Sequence, residues 1–196
     1  MLPSGEIVAA PWRGAFTGNR GCLHDDEGRL GRARWKTWSW VTCLTAFRGR
    51  KRPIMPPGRW TALFFWDEAA AFAAGHRPCG ECRNADYKRF RQAWEAAGLP
   101  AGGAKPIDRA MQAARVGRDR CQRCHNAPAD DLPDGVFLRV EGRVGVLSGD
   151  AWHPWLETGG YGPAEARPSG PVTVLTPAPT VAVFRQGYRP SIRLDG

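Results

Sequence analysis

Two cysteine pairs have the residue types and spacing that could bind a metal ion. Cys79 and Cys82 form one Cys-x-x-Cys pair, and Cys121 and Cys124 form a second. Two thiolates at this spacing can bind one zinc ion, with zinc–sulfur distances of about 2.3 Å. The same spacing also occurs in redox centres and disulfides, so the pairs alone leave these alternatives open.

The segment before Cys79 favours a metal over a redox centre. Asp67 is a typical N-cap residue, the alanines that follow favour a helix, and Gly75 lies where a left-handed C-terminal residue is expected. Pro78 then restricts the backbone directly before Cys79. A redox pair normally begins a helix directly after a strand, whereas here a helix and a turn come first.

The remaining metal ligands are predicted less directly. His24 supplies an imidazole that could complete a metal site with Cys79 and Cys82, and Cys43 lies in the middle of a predicted strand. Other candidates for the fourth position are Cys22, His76 and the pair Cys121 and Cys124. Cys43 is also the one candidate for an activated catalytic thiolate. The second pair could join a four-thiolate site, form a second site or remain free.

Charge is distributed unevenly along the chain. The net charge is +9, and residues 1–123 carry 22 basic and 11 acidic side chains, against 6 and 8 in residues 124–196. Between residues 28 and 66 there are nine basic residues, five tryptophans and no acidic residue. Arginines can neutralise phosphates and aromatic rings can stack on bases, so this window predicts a nucleic-acid partner, with DNA favoured. The alternative is a solvated charged face over an aromatic core.

The predicted nucleic-acid contacts come from the basic loop after the strand at Cys43 and from the residues around the cysteine pair. They are Arg48, Arg50, Lys51, Arg52, Arg77, Arg83, Lys88 and Arg89.

The chain carries no membrane-spanning or secretory pattern. No apolar run reaches the roughly 18 residues that cross a bilayer. The first residues lack both a basic and an apolar region of a signal peptide. We therefore expect a cytoplasmic protein with no membrane partner, in which six cysteines are ligands or free thiols rather than disulfides.

Periodicity predicts an α+β fold, with a zinc-binding βα half and a small β-rich C-terminal half. Residues 1–20 are predicted to be loop. The domain prediction is a basic, zinc-knuckle, nucleic-acid-binding region over 1–123, with a small β-rich region over 124–196 packed on it. The predicted elements are strands within 35–47, 59–66 and 172–175, helices over 84–97, 106–117 and 180–186, and a hairpin over 136–147 that turns at Glu141-Gly142. The helix over 84–97 has an apolar stripe, which is predicted to face the core and consists of Tyr87, Phe90, Trp94 and Ala97. Residues 1–20 lack periodicity because they are interrupted by Pro3, Pro11, Gly14 and Gly18.

The segment from Phe64 to Cys82 resembles the N-terminal metal-binding domain of the Ada family of DNA-repair proteins. In that family an alanine-rich helix runs into Gly-Phe-Arg-Pro-Cys-x-x-Cys, and here His76 replaces the phenylalanine. The resemblance covers about 20 of the 196 residues. It implies that Cys79 and Cys82 bind zinc and that DNA is the partner. The family has a Cys-x-x-x-Cys pair upstream of the helix, where this chain has Cys43 alone. The resemblance therefore implies Cys43 as a third ligand, and the predicted zinc ligands are Cys43, Cys79, Cys82 and His24.

These patterns predict a zinc-binding, nucleic-acid-associated protein, in DNA repair or in DNA or RNA processing. One alternative is a zinc-dependent nucleobase or nucleoside deaminase, because a Pro-Cys-x-x-Cys followed by a helix matches half of that signature. The deaminase chemistry also needs His-x-Glu, and no histidine here has a glutamate two places on. Another alternative is structural zinc in a regulatory or interaction module.

Overall fold

The computed structural model describes residues 1–49 and 53–195. It combines helices with two β-sheets, which confirms the α+β class. Along the described residues, no helix has both the length and the apolar character needed to cross a membrane.

The first sheet lies in the N-terminal half of the chain. Its strands are β1 (Phe16–Asn19), β2 (Val41–Leu44), β3 (Leu63–Phe65) and β4 (Arg77–Pro78), in the spatial order β3-β1-β2-β4. β4 is parallel to β2, and the other pairs are antiparallel. The predicted strands around β2 and β3 are confirmed in shorter form.

The prediction that residues 1–20 are loop was wrong, because β1 is the strand that joins β2 to β3. Gly18 was interpreted as a strand breaker, but it is required by close packing. A Cβ atom there would lie 2.3 Å from the carbonyl oxygen of Val41 and 2.9 Å from the ring of Phe65. A glycine in a strand commonly marks such a close approach.

The second sheet is antiparallel throughout and has the order β5-β10-β6-β7-β8-β9. The predicted hairpin over 136–147 is confirmed as β6 and β7. Glu141 and Gly142 connect these strands, both with positive φ, as a two-residue hairpin loop requires. The six strands are β5 (His125–Pro128), β6 (Phe137–Val140), β7 (Arg143–Ser148), β8 (Ala151–Pro154), β9 (Glu165–Ala166) and β10 (Pro171–Val174).

The α-helices of the described residues are α1 (Glu68–Ala73), α2 (Asn84–Ala96), α3 (Ala104–Arg115) and α4 (Ala178–Arg185). The N-cap of α1 is as predicted, because the Asp67 carboxylate accepts a hydrogen bond from the Ala70 N–H at 2.8 Å. Gly75 has a φ of 82°, which confirms the left-handed turn after the helix. The predicted stripe of α2 is also confirmed, with Phe90 and Trp94 fully buried.

Helix α1 is buried on every side. Phe72 packs in a cluster with residues of α2, α4 and the second sheet, so both predicted regions share one core. Ala69, Ala70 and Ala73 pack against β6, β7 and Leu175, whereas Ala71 packs against β3. Because neighbours surround the helix, most of its positions have room for only a methyl group. The alanine run therefore serves close packing as well as helix propensity.

Two carboxylates at the start of α1 hold the C-terminal segment. Asp67 accepts hydrogen bonds from the Tyr161 hydroxyl at 2.7 Å and from the Arg193 N–H at 3.0 Å. Glu68 accepts from the Tyr188 hydroxyl at 2.7 Å and from the Ser191 N–H at 2.9 Å. Burial raises the pKa of Asp67, although the hydrogen bonds that Asp67 accepts from Ala70, Arg193 and Tyr161 oppose the rise. A buried carboxylate needs such partners, so the C-terminal segment completes the environment of α1.

Changing Ala70 to Leu should destabilise the protein by about 1–3 kcal/mol, because the added carbons would overpack the space around α1. Urea unfolding followed by tryptophan fluorescence measures this loss. Ala85→Leu is the matched control, since Ala85 is exposed on α2 and leucine is a good helix former. Equal stability of the two variants would contradict close packing around α1.

Candidate metal centre

The sulfur atoms of Cys43, Cys79 and Cys82 lie within 4.8 Å of one another. Cys43 is buried on β2, Cys82 is 9 % exposed, and Cys79 is partly exposed. This group could hold a metal ion. Its partial exposure means that a small molecule or solvent can reach the centre from one side.

Strand pairing brings the three cysteines together. Thr42 on β2 pairs with Pro78 on β4, and the Cys79 N–H donates to the carbonyl of Thr42 at 3.0 Å. The chain then turns, because the Arg83 N–H donates to the carbonyl of Cys79 at 3.1 Å. The turn places Cys82 beside Cys79, and the parallel pairing places both next to Cys43.

The surroundings of Cys79 stabilise a thiolate. Its pKa is lowered to about 5, first by a hydrogen bond from the thiol of Cys43 and then by backbone N–H donors of Cys82 and Glu81 that outweigh burial. The pKa of Cys43 is raised, because its proton is held against Cys79 and its side chain is buried. Burial also raises the pKa of Cys82, against a hydrogen bond from the Leu44 N–H.

The donor set suits a thiophilic ion such as zinc. Tetrahedral coordination with zinc–sulfur distances of about 2.3 Å places sulfurs roughly 3.8 Å apart, which is compatible with this cluster. Backbone N–H groups directed at sulfur would offset thiolate charge after metal binding as well. Among the described residues, no fourth His, Cys, Asp or Glu joins the group. Because zinc is usually four-coordinate, a water molecule or an added ligand would complete the site.

His24, which was predicted as the fourth ligand, lies outside this group. Its Nδ1 is 2.6 Å from the hydroxyl oxygen of Thr61, and its Nε2 is 3.3 Å from the carbonyl oxygen of Pro56. Both ring nitrogens therefore have partners in the segment before β3. The thiol of Cys22, the alternative ligand from the same segment, donates to the carbonyl of His24 at 3.5 Å.

The second cysteine pair is not part of the three-sulfur group either. Cys121 and Cys124 are both exposed on the segment between α3 and β5. The thiol of Cys121 lies 3.8 Å from the carbonyl oxygen of Asp119. Within the described parts of the chain, these residues belong to no group of three candidate ligands, so the shared four-thiolate site was wrong.

His76, a further alternative for the fourth position, is an aromatic core residue. Its ring lies 5.4 Å from the ring of Trp40 and 4.6 Å from that of Phe65, centroid to centroid. Both ring nitrogens are buried without a hydrogen-bond partner among the described residues. Burial, followed by the charges of Arg20 and Arg115, lowers the pKa of His76 well below its usual value. The residue is therefore a neutral ring in an aromatic stack.

Two of the arginines predicted to contact nucleic acid are buried in ion pairs. The guanidinium of Arg77 donates to both carboxylate oxygens of Asp108, at 2.7 and 2.8 Å. Arg83 donates to the carboxylates of Glu68 and Asp86. We correct the role of both residues to internal cross-links, because a phosphate could reach them only by displacing a buried carboxylate.

The other predicted contact residues that the structure describes are exposed. Arg48 lies after β2 with its guanidinium 5.0 Å from the ring of Phe47, and Lys88 lies on α2. Arg89 is exposed but paired with Asp86 at 2.5 Å. Arg50, Lys51 and Arg52 lie outside the described residues, and their role stays a prediction.

The structure also identifies residues that sequence patterns did not single out. Trp38 is 54 % exposed and lies before β2, although the aromatic run around it was predicted as part of that strand. Arg20 and Arg115 are buried and lie against Trp40, with guanidinium carbons 3.7 and 3.8 Å from the ring centroid. The burial of Arg115 could have been predicted from its spacing, because Arg115 lies four residues after Met111 and so falls on the buried face of α3.

Comparison with known proteins yields no match to a protein-family model, a curated protein or a solved structure. The resemblance to the Ada-type domain therefore stays a prediction based on the residues from Phe64 to Cys82.

Changing His76 to Phe should preserve or raise the free energy of unfolding. The substitution removes two buried ring nitrogens that lack hydrogen-bond partners, and a buried polar group of this kind costs about 1–3 kcal/mol. It should also change the pH dependence. The pKa of folded His76 is lowered, so below about pH 6.5 the unfolded state takes up a proton first and wild-type stability falls by about 1.4 kcal/mol per pH unit. The variant lacks this contribution.

Urea unfolding of both proteins between pH 7.5 and pH 5.5 tests this. His153→Phe is the control, since His153 is only partly buried on β8 and should not gain stability. If the free energy of unfolding of the His76→Phe protein depended on pH in the same way as that of the wild type and of the His153→Phe control, His76 would not be a neutral core ring.

Proposed function

We propose that this protein binds one zinc ion through Cys43, Cys79 and Cys82, and that it binds nucleic acid through an exposed basic and aromatic surface. The observation that carries the zinc proposal is the convergence of three sulfurs from β2 and from the turn after β4. Zinc supplies charge and Lewis acidity where it binds, and thiolates are among its preferred ligands.

The three cysteines would act differently in holding the ion. Cys79 is already disposed to be a thiolate, so it would be the first ligand available near neutral pH. Cys43 and Cys82 would release their protons on binding, which makes zinc affinity increase with pH. The position of Cys43 does not favour its interpretation as a catalytic nucleophile, since its thiol is buried and donates to Cys79.

The metal would stabilise the first sheet. Within the described residues, β4 pairs with β2 along only two residues, Arg77 and Pro78. A shared ion would fix this short pairing, and through the Arg83–Glu68 ion pair it would connect to the start of α1. Local stability gained in this way would hold the segments around β2 in place.

Several features support a nucleic-acid partner. The chain has a net charge of +9, and the segment before β2 presents Arg32, Arg34, Lys36 and Trp38 to solvent. An exposed indole among cations can stack on an unpaired base while the cations neutralise phosphates. We define Arg32, Arg34, Lys36, Trp38 and Arg48 as the basic surface. Arg77 and Arg83 are excluded from it.

The deaminase alternative lacks a feature of its chemistry. It needs a histidine or cysteine ligand together with a nearby glutamate that transfers protons. The signature that supplies both, His-x-Glu, is absent from this sequence, since none of the four histidines has a glutamate two places on. The remaining alternative is a structural zinc site in a protein that does not bind nucleic acid. Measurements of DNA and RNA binding distinguish this alternative from the proposal.

Purified protein should contain about one zinc ion per chain, and replacing Cys43, Cys79 or Cys82 by Ala should reduce the content to background. Each variant removes one of three ligands and leaves too few thiolates to compete with a chelator. Metal analysis after dialysis measures the content, and cobalt substitution should give an absorption spectrum with thiolate-to-metal bands.

The controls are His24→Ala, Cys22→Ala and the Cys121→Ala/Cys124→Ala double variant, which should keep full zinc content. Loss of zinc in one of these controls would show that the site extends beyond the three sulfurs. Full zinc in the Cys79 variant would rule out the proposed centre.

Trp38→Ala should weaken binding to single-stranded DNA by about 5- to 150-fold, because base–aromatic stacking contributes about 1–3 kcal/mol. Arg34→Ala and Arg48→Ala should each weaken binding to single-stranded and duplex DNA alike, and should reduce the dependence of log K on log salt by about one unit. Fluorescence anisotropy at several salt concentrations measures both effects.

Leu156→Ala and Arg143→Ala are matched controls, since both residues are exposed on the C-terminal half and Arg143 is paired with Glu165. Neither should change affinity. A zinc-loaded protein that binds no DNA or RNA at low salt would leave the structural-zinc alternative.

A further inference from the structure

A cavity of about 260 Å³ lies beside Trp40, directly before β2, between the N-terminal segment and the chain that follows α3. It is strongly basic. The charged and aromatic residues around it include Glu6, Arg20, Arg34, Trp40, Arg115 and Arg120. Four arginines against one glutamate leave an excess of positive charge in a small volume.

Arg20 is the first of two buried cations in this cavity, with 3 % of its surface exposed. It donates to the carbonyls of Gly5 at 3.2 Å and Ala74 at 2.7 Å, but its Nε–H has no partner within the described residues. Carbonyls solvate a guanidinium without neutralising it. Arg20 therefore has an unsatisfied donor and an unbalanced charge.

Arg115 is the second buried cation, with 2 % of its surface exposed. It donates to the carbonyls of Gly75 at 2.8 Å and Trp38 at 2.6 Å, and to the side-chain oxygen of Gln112. These acceptors fix the direction of the guanidinium. Like those around Arg20, they carry no negative charge.

Within the described residues, no carboxylate forms an ion pair with either cation, in contrast to Arg77 and Arg83, which are each paired. Burial lowers the pKa of Arg20 well below its usual value, and lowers that of Arg115 to about 9 although Asp108 opposes the effect. Both buried cations pack on one indole ring, that of Trp40, which offsets only part of the cost of burying their charge, so an anion at this place would be stabilising.

The mouth of the cavity is aromatic and extends outward. Trp35 lines the cavity and also lines an adjoining cleft of about 170 Å³ with Arg34 and Arg120. Trp35 is partly buried, so one part of its ring packs on the protein, against Trp40, while the rest faces the cleft. An indole at this place could stack on a planar ring attached to an anion.

We propose that this cavity binds a phosphate monoester carried by a nucleoside, with the phosphate at the arginines and the base at Trp35. Arginine matches phosphate oxygens with a planar set of donors, and a monoester brings up to two negative charges where a carboxylate brings one. Such a group could be a free mononucleotide or the 5′-phosphorylated end of a strand. The site shares Arg34 with the basic surface, whose other members would contact internal phosphates and bases, whereas Arg20, Arg115 and Arg120 belong to the cavity alone.

Calorimetric titration of the zinc-loaded full chain with AMP at low salt tests the proposal. AMP should bind with one-to-one stoichiometry, and adenosine should bind at least tenfold more weakly, because it lacks the charge that the buried arginines would compensate. AMP and adenosine binding equally, or neither binding at millimolar concentration, would overturn it.

Two further ligands distinguish the sources of the phosphate. A short 5′-phosphorylated oligonucleotide that binds more tightly than its 5′-hydroxyl counterpart and than AMP identifies a strand end. AMP that binds at least as tightly as the phosphorylated oligonucleotide identifies a free nucleotide. Either result supports the cavity. The 5′-hydroxyl oligonucleotide lacks the terminal phosphate and therefore reports on the basic surface separately.

Variants at the mouth avoid disturbing the core. Arg34 and Arg120 are exposed, so the Arg34→Ala/Arg120→Ala protein should fold, and it should bind AMP about tenfold more weakly through loss of charge-assisted hydrogen bonds. Arg91→Ala is the control, since Arg91 is exposed on α2 and pairs with Glu95 away from the cavity. Equal AMP affinity of the double variant and the wild type, or equal weakening in both variants, would refute binding at this place.

Discussion

The structure depends on the complete burial of helix α1. Six consecutive helical residues without solvent contact require partners on all sides, and these come from both sheets, α2, α4 and the C-terminal segment. The two acidic residues at its start are each held by donors from the end of the chain, while its final turn leads into Gly75 and β4. The cysteine turn and the arginine cavity are thus both attached to one fixed element. Small side chains make this arrangement possible, because larger ones would separate the layers.

Local signals predicted local structure well. The Asp67 cap, the left-handed Gly75, the apolar stripe of α2 and the Glu141-Gly142 turn each depend on a few adjacent residues, and the structure confirms all four. Pairings between distant residues were not accessible in this way. β1 was missed because the need for Gly18 arises from its neighbours Val41 and Phe65, which the sequence pattern around Gly18 does not include. The same limit applies to the site, where Cys43 was placed correctly beside Cys79 and Cys82 while His24 was not.

Arginine content alone was a poor guide to surface charge. Apart from the spacing of Arg115 on α3, no local sequence pattern distinguishes buried arginines from exposed ones such as Arg34 and Arg48. The buried ones are Arg20, Arg77, Arg83 and Arg115. Two of these balance carboxylates, and the other two lie against an indole with only uncharged acceptors. Whether a buried cation is paired follows from tertiary contacts, which spacing along the chain does not reveal. This distinction separates cations that hold the fold from cations available to a ligand.

The attachment of residues 188–193 to α1 has a consequence for protein synthesis. Glu68 and Asp67 are separated by more than 115 residues from the donors Tyr188, Ser191 and Arg193. During translation the cysteine turn leaves the ribosome well before these donors exist. At about 5–20 residues per second, the delay lasts several seconds to tens of seconds, and meanwhile the helix that supports the turn has carboxylates without their final partners. Folding of the N-terminal half should therefore finish only after residues 188–193 have been synthesised, although its own sequence is complete much earlier.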